Sequence, residues 1–165
     1  MKKYIIIILC VAFLLAGCTG SKVPAPKPDT TPNTNHLTAQ KDGITLEVSR
    51  ELKTFPKNML ATKEGYDIVG LSVIVINKSQ QNVPISPDYV TLVAIDNTTY
   101  KYSEITESVT GKGAFRKVTL PPDYRGGGLL LFEIKKGIKI NKVIYKDQMN
   151  HEFNINFESG ESSSV

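Results

Sequence analysis

The chain has 165 residues, of which 41% are apolar and 22% charged, with a formal net charge of +4. That length suits one domain rather than two, and the composition is globular rather than disordered throughout. Once Lys2 and Lys3, which precede an apolar run, are set aside, 18 basic residues face 16 acidic ones, and so even a balance gives no reason to expect nucleic acid as a partner.

Tyr4 to Ala16, "YIIIILCVAFLLA", is thirteen residues without a charge. A helix needs about 20 apolar residues to cross a bilayer, so this run is too short to span. Two lysines, a short apolar core and small residues have the layout of a secretory signal. The tetrad Leu15-Ala16-Gly17-Cys18 then resembles the lipobox of bacterial lipoproteins. The resemblance implies that the Cys18 thiol takes a diacylglyceryl group and that cleavage before it makes Cys18 the new N-terminus. It implies an extracytoplasmic, lipid-anchored location on the cell membrane, or on an outer membrane if the cell has one, since Thr19 offers no aspartate retention signal. Acyl chains anchor by burying methylenes, each giving about 0.8 kcal/mol, so two or three hold firmly where one is marginal. The plainer alternative is an ordinary signal with a chance cysteine. On the lipobox reading Cys10 leaves with the signal and Cys18 carries lipid, so the mature domain has neither disulfide nor thiol nucleophile.

From Thr19 to Gln40 the composition changes to "TGSKVPAPKPDTTPNTNHLTAQ", which holds four of the nine prolines. Such a segment buries too little to fold, so residues 18–40 are expected to be a disordered lipidated tether. At about 3.1 Å per residue, 19–40 reaches roughly 70 Å. Residues 41–157 carry the fold, and 158–165 read as a solvated tail.

Strand signals recur with turn residues between them. "ITLEVSREL" alternates, "YDIVGLSVIVIN" is a long β-branched run, and "YVTLVAID" and "TYKYSE" flank Asn97-Thr98 as a hairpin. "AFRKVTL", "GLLLFEI", "INKVIYKD" and "HEFNINF" follow; in the last, His151, Phe153, Ile155 and Phe157 share one face. The helical candidate is Lys57 to Gly65, ending in a capping glycine. The fold class is therefore all-β, an immunoglobulin-like β-sandwich of about seven or eight strands.

The stretch "VGLSVIVINKSQQNVPISPDYVTLVAIDNTTYKY" resembles a domain family of unknown function found in bacterial and archaeal surface lipoproteins. That family is related to a secreted mycobacterial immunoprotective antigen and is built as an immunoglobulin-like sandwich. Asn77, Val83, Ser86, Pro87, Leu92, Asp96 and Tyr100 occupy matching places, as do Pro121, Gly128, Leu130 and Phe132 in "LPPDYRGGGLLLFEI". Two turns depart from the pattern: Asn97-Thr98-Thr99 stands where the family has glycine, and Pro121-Pro122-Asp123 replaces its Pro-Gly turn. The resemblance implies a fold and a cellular address, and no active site.

Chemistry is sparse. His36 falls in the tether and His151 on an apolar face, where a packed rim residue is the expected role. Asp67, Asp88, Asp96, Asp123, Asp147 and Glu104 lie at strand ends and turns, where Asp usually bonds its own backbone. A calcium site from Asp88 or Asp96-Asn97 lacks the dense alternation of acids that strong sites need. Arg125 to Gly128, "RGGG", precedes a strand rather than a helix, so it reads as a bulge or a close backbone approach, not a phosphate loop. No metal, cofactor or catalytic residue is expected.

One feature breaks the alternation of a half-exposed sheet. The runs "IVGLSVIVI" and "GLLLFEI" are apolar on both faces, which calls for a cover on the outer face. Phe55, Met59 and Leu60 could fold over it, or a partner could dock on Ile74, Ile76, Leu129 and Leu131. These residues lead to a non-catalytic binding or assembly module, whose partner is an extracytoplasmic protein or polymer or a second copy of the chain. The alternatives are a small envelope enzyme or enzyme inhibitor, and a structural envelope lipoprotein.

Overall fold

The computed structural model describes residues 35–56 and 63–157; the signal, the lipobox, most of the expected tether, the tail and most of the helical candidate at 57–65 lie outside these. Eleven strands occur among the described residues: β1 His36–Lys41, β2 Ile44–Ser49, β3 Lys53–Phe55, β4 Tyr66–Asn77, β5 Val83–Ile85, β6 Val90–Ala94, β7 Thr99–Lys101, β8 Val118–Leu120, β9 Arg125–Lys135, β10 Ile140–Lys146 and β11 Glu152–Asn156. A five-residue helix, α1 Thr106–Thr110, joins β7 to β8.

The long β-branched run becomes β4, the centre of the first sheet. β9 pairs with it antiparallel from Tyr66↔Lys135 to Ile76↔Arg125. On its other edge β2 and β3 lie end to end, and β1 extends the sheet beyond β2. The second sheet runs β11-β10-β6-β7, and β5 pairs with β8 separately. All the ladders between these strands are antiparallel. The expected β-sandwich is present. Its core sets Ile44, Leu46, Val48, Leu71, Val73, Val75, Leu130 and Phe132 of one sheet against Leu92, Val143, Tyr145, Phe153 and Ile155 of the other. These core residues all lie within Asn33–Val165, a compact unit in its own right.

One boundary moves. The tether expected through Gln40 ends before His36, because Asp42 (φ 51°) and Gly43 (φ 77°) make a two-residue hairpin turn that folds the preceding chain back along β2. Both turn residues need positive φ, which Asp-Gly supplies. Leu37 and Ala39 then pack against the core. The β6–β7 hairpin forms as expected, Leu92 opposite Tyr100, and β11 alternates as read, with Phe153 and Ile155 buried and Glu152, Asn154 and Asn156 exposed. At the two turns where the sequence lacks glycine, Asn97 (φ 65°) and Asp123 (φ 65°) themselves adopt the left-handed conformation, which Asn and Asp tolerate better than other side chains.

Asn77 closes the far end of β4. Its side chain is fully buried and fully used: Nδ2 donates to the carbonyls of Gln81 (2.7 Å) and Leu120 (3.0 Å), and Oδ1 accepts from the Ser79 amide (3.0 Å) and hydroxyl (2.7 Å). Its backbone N–H donates to Tyr124 O and its carbonyl accepts from Asp123 N. Asn77→Ala strands two carbonyls and should cost about 2–4 kcal/mol in denaturant unfolding. Asn77→Asp sets carboxylate oxygen against those carbonyls and should cost more; a loss below about 1 kcal/mol in either variant would contradict this role.

Candidate functional site

Register decides which apolar residues leave the core. Val69, Leu71, Val73 and Val75 of β4 point inward, so Ile68, Gly70, Ser72, Ile74 and Ile76 face out, across from Glu133, Leu131, Leu129, Gly127 and Arg125 of β9. The four sequence-predicted face residues therefore do share one surface. They differ in access: Ile74, Ile76 and Leu129 are half-buried, while Leu131 is fully buried, as is Ile68. The reason is nonlocal. β3 brings Phe55 over Gly70, where an added Cβ would lie 2.6 Å from the ring, with Leu129 and Leu131 methyls beside it. Leu131 is thus a covered residue and not part of an accessible face; of the proposed cover, Phe55 takes part, and Met59 and Leu60 lie outside the described residues.

The open part of this face is a shallow groove of about 410 Å³, lined by Ser72, Ile74, Leu129, Arg125, Gly113 and the glycines at 126–128. The glycines create it. A Cβ on Gly127 (φ 139°) would lie 2.1 Å from Val73 O, and one on Gly128 (φ 159°) 2.4 Å from Gly113 O. Close approach, one of the two readings of "RGGG", is what they provide. Ala114 accordingly bridges Leu129, and Phe115 N donates to Leu129 O at 3.1 Å. Next along the edge, Leu131 N donates to Thr106 Oγ1 (3.0 Å) and Ser103 N to Leu131 O (2.6 Å), so residues 103–115 cap the free side of β9.

The scattered acids mostly set turns. Asp96 Oδ1 accepts from Thr98 N at 2.9 Å, and this backbone bond is the main cause holding its carboxyl below the ordinary value. Asp88 accepts from the Ser86 hydroxyl at 2.9 Å. Among the described residues no group of three His, Cys, Asp or Glu side chains is placed to hold a metal, and no helix is long and apolar enough to cross a membrane.

Sequence reading missed one polar cluster. Asp147, its side chain wholly buried, accepts from the amides of Met149 (2.8 Å) and His151 (2.9 Å) and pairs with His151 Nδ1 at 2.7 Å. The D-x-M-x-H spacing is its only sequence trace. Beside it, Tyr145 packs edge-on to Tyr89 and Phe153. Its buried hydroxyl has no partner among the described residues, and burial first, then the Asp147 charge, pushes its pKa up. His151 is thus a rim residue, held by the carboxylate that closes the β10–β11 turn.

No protein-family model matches the sequence, and no curated protein matches it. Solved structures do match. A candidate lipoprotein from Bacillus subtilis, ycdA, aligns at TM-score 0.56 and 17% identity over 74% of this chain and 39% of that one. The chain thus spans about two-fifths of that protein's length. The secreted protein MPT63 from Mycobacterium tuberculosis aligns at TM-score 0.50 and 16% identity, covering 73% of this chain and 91% of that one. A functionally unknown protein from Listeria monocytogenes aligns at 0.53 and 12%, covering 73% and 80%. At these identities the likeness is one of fold: the chain is a β-sandwich of the MPT63 kind.

The cluster at Asp147 separates two roles. Tyr145→Phe removes a hydroxyl without a partner and should leave the urea midpoint unchanged or raised, whereas Asp147→Ala should cost about 2 kcal/mol by unpairing two amides and a histidine. A Tyr145→Phe loss of comparable size would show that the hydroxyl is used.

Proposed function

We propose that this protein is a membrane-anchored surface lipoprotein, held by lipid on Cys18, and that its sandwich acts as a non-catalytic extracytoplasmic binding module belonging with the lipoprotein domains it resembles. The observation that carries the reading is the outer face of β4 and β9. Half-buried Ile74 and Leu129 line a groove there, with half-buried Ile76 next on the same face, beside a part of the same strip that the chain covers itself. A sheet face that needed no partner would place polar residues at these positions. The groove is shallow and lined by glycines, Ile74, Leu129, Ser72 and Arg125, with no titratable pair of the kind acid–base chemistry uses. The fold likeness to a candidate lipoprotein and a secreted protein supports an extracytoplasmic address.

Anchoring is tested on the full chain. Cells fed labelled palmitate should yield a labelled protein in the membrane fraction, and Cys18→Ser should abolish the label and shift the protein out of that fraction. Equal labelling of the Cys18→Ser chain would overturn the lipid assignment.

A further inference from the structure

Cations flank the groove on its β9 side. Arg125 lines it, and so does Gly113, which belongs to a run, Gly111 to Lys117, that carries Lys112, Arg116 and Lys117. All of these cations are exposed. Arg116 Nη2 donates to Gly111 O at 3.2 Å, which keeps the guanidinium beside the 111–113 turn whose Gly113 lines the groove. Arg125, also exposed, lines the groove directly. Two acids stand farther out: Glu47 of β2, opposite Ile74 on the same outward face, and Glu107 of α1, five residues before Lys112. An apolar strip with cations along one border is complementary to an anionic lipid surface: lysine and arginine meet the phosphates while aliphatic groups reach the headgroup boundary.

We infer that the occupant of this face is the anionic bilayer to which the chain is tied, so that the domain rests on the membrane through the β4–β9 groove. This rests on the lipid anchor proposed above, and the reach is adequate. Residues 19–34, between Cys18 and the start of the described domain, are sixteen in number. They extend to roughly 50 Å at most. The chain enters the sheet at β1, and the groove lies three strand spacings away, about 15 Å. A tether this short confines the domain near the surface, so even weak intrinsic attraction is sufficient to hold the face down.

The test uses the unlipidated unit Asn33–Val165, so that loss of the lipid assignment and loss of this inference are read separately. Sedimentation with vesicles containing phosphatidylglycerol, against vesicles of phosphatidylcholine alone, should show binding to the first only, falling steeply between ~0.05 M and ~0.5 M salt. Each cation is worth roughly 5-fold in affinity at such a surface, so Lys112→Glu with Arg125→Glu should weaken binding at least ~10-fold. Lys142→Glu on the opposite sheet should leave it unchanged. Near-ultraviolet circular dichroism checks that the variants remain folded. Equal binding to both vesicle types, or equal binding by the rim variant, would overturn the inference. Retention by soluble poly(glycerol phosphate) but not by vesicles would overturn it in favour of a wall polymer.

Discussion

One buried amide holds the strands in the arrangement that everything else uses. Asn77 ends the longest strand, and its side chain bonds the 79–81 turn on one side and the end of β8 on the other, while its backbone bonds the turn that leads into β9. The backbone bonds tie the 123–124 turn, from which β9 starts, to the end of β4. The side chain holds the end of β8 beside it, next to the register that places Gly127 opposite Ile74 and Leu131 opposite Gly70. A buried polar group with every valence met specifies one geometry; the same group half-met would cost more than an apolar residue. In a domain without cysteine this specification comes from hydrogen bonds and packing alone.

Register then divides the outer apolar strip into two parts with different fates. Toward Phe55 the strip is closed by the chain's own ring, and Ile68 and Leu131 are lost from the surface. Toward Arg125, Gly128 lets residues 113–115 lie against the edge of β9, and a shallow depression remains with cations on one border. Gly127 and Gly128 leave the groove without side chains, and Gly128 also admits the segment that carries Lys112 and Arg116. The membrane-docking inference rests on that coincidence of shape and charge, together with the anchor proposed at Cys18.

Elements with strong local periodicity were legible: β11 from its alternating Phe153 and Ile155, β4 from its β-branched run, and the β6–β7 hairpin from Asn97. Three elements were not. β1 reads "HLTAQK", polar enough to pass as the end of the tether, and only Asp42-Gly43 announces the hairpin that claims it. β3 and β5 are three residues each, too short for a period to show. The face residues were found by their violation of alternation, which is local, yet which of them the chain covers was left open, because Phe55 reaches Leu131 from a strand some 75 residues earlier. The Asp147–His151 pair was invisible for a similar reason, since a turn-closing carboxylate looks like any other acid until its amides are placed.

The central claim is that the β4–β9 face is occupied when the protein is in place on the cell. On the lipobox reading the mature domain has no cysteine other than Cys18, so single thiols introduced at Leu129→Cys or Asn154→Cys report each face separately. Asn154 is exposed on the opposite sheet. With a membrane-impermeant maleimide, Leu129→Cys should label several-fold more slowly on intact cells than in the purified Asn33–Val165 unit, while Asn154→Cys labels at the same rate in both. Equal rates at Leu129→Cys in the two settings would mean that the face is open on the cell, and would contradict the account.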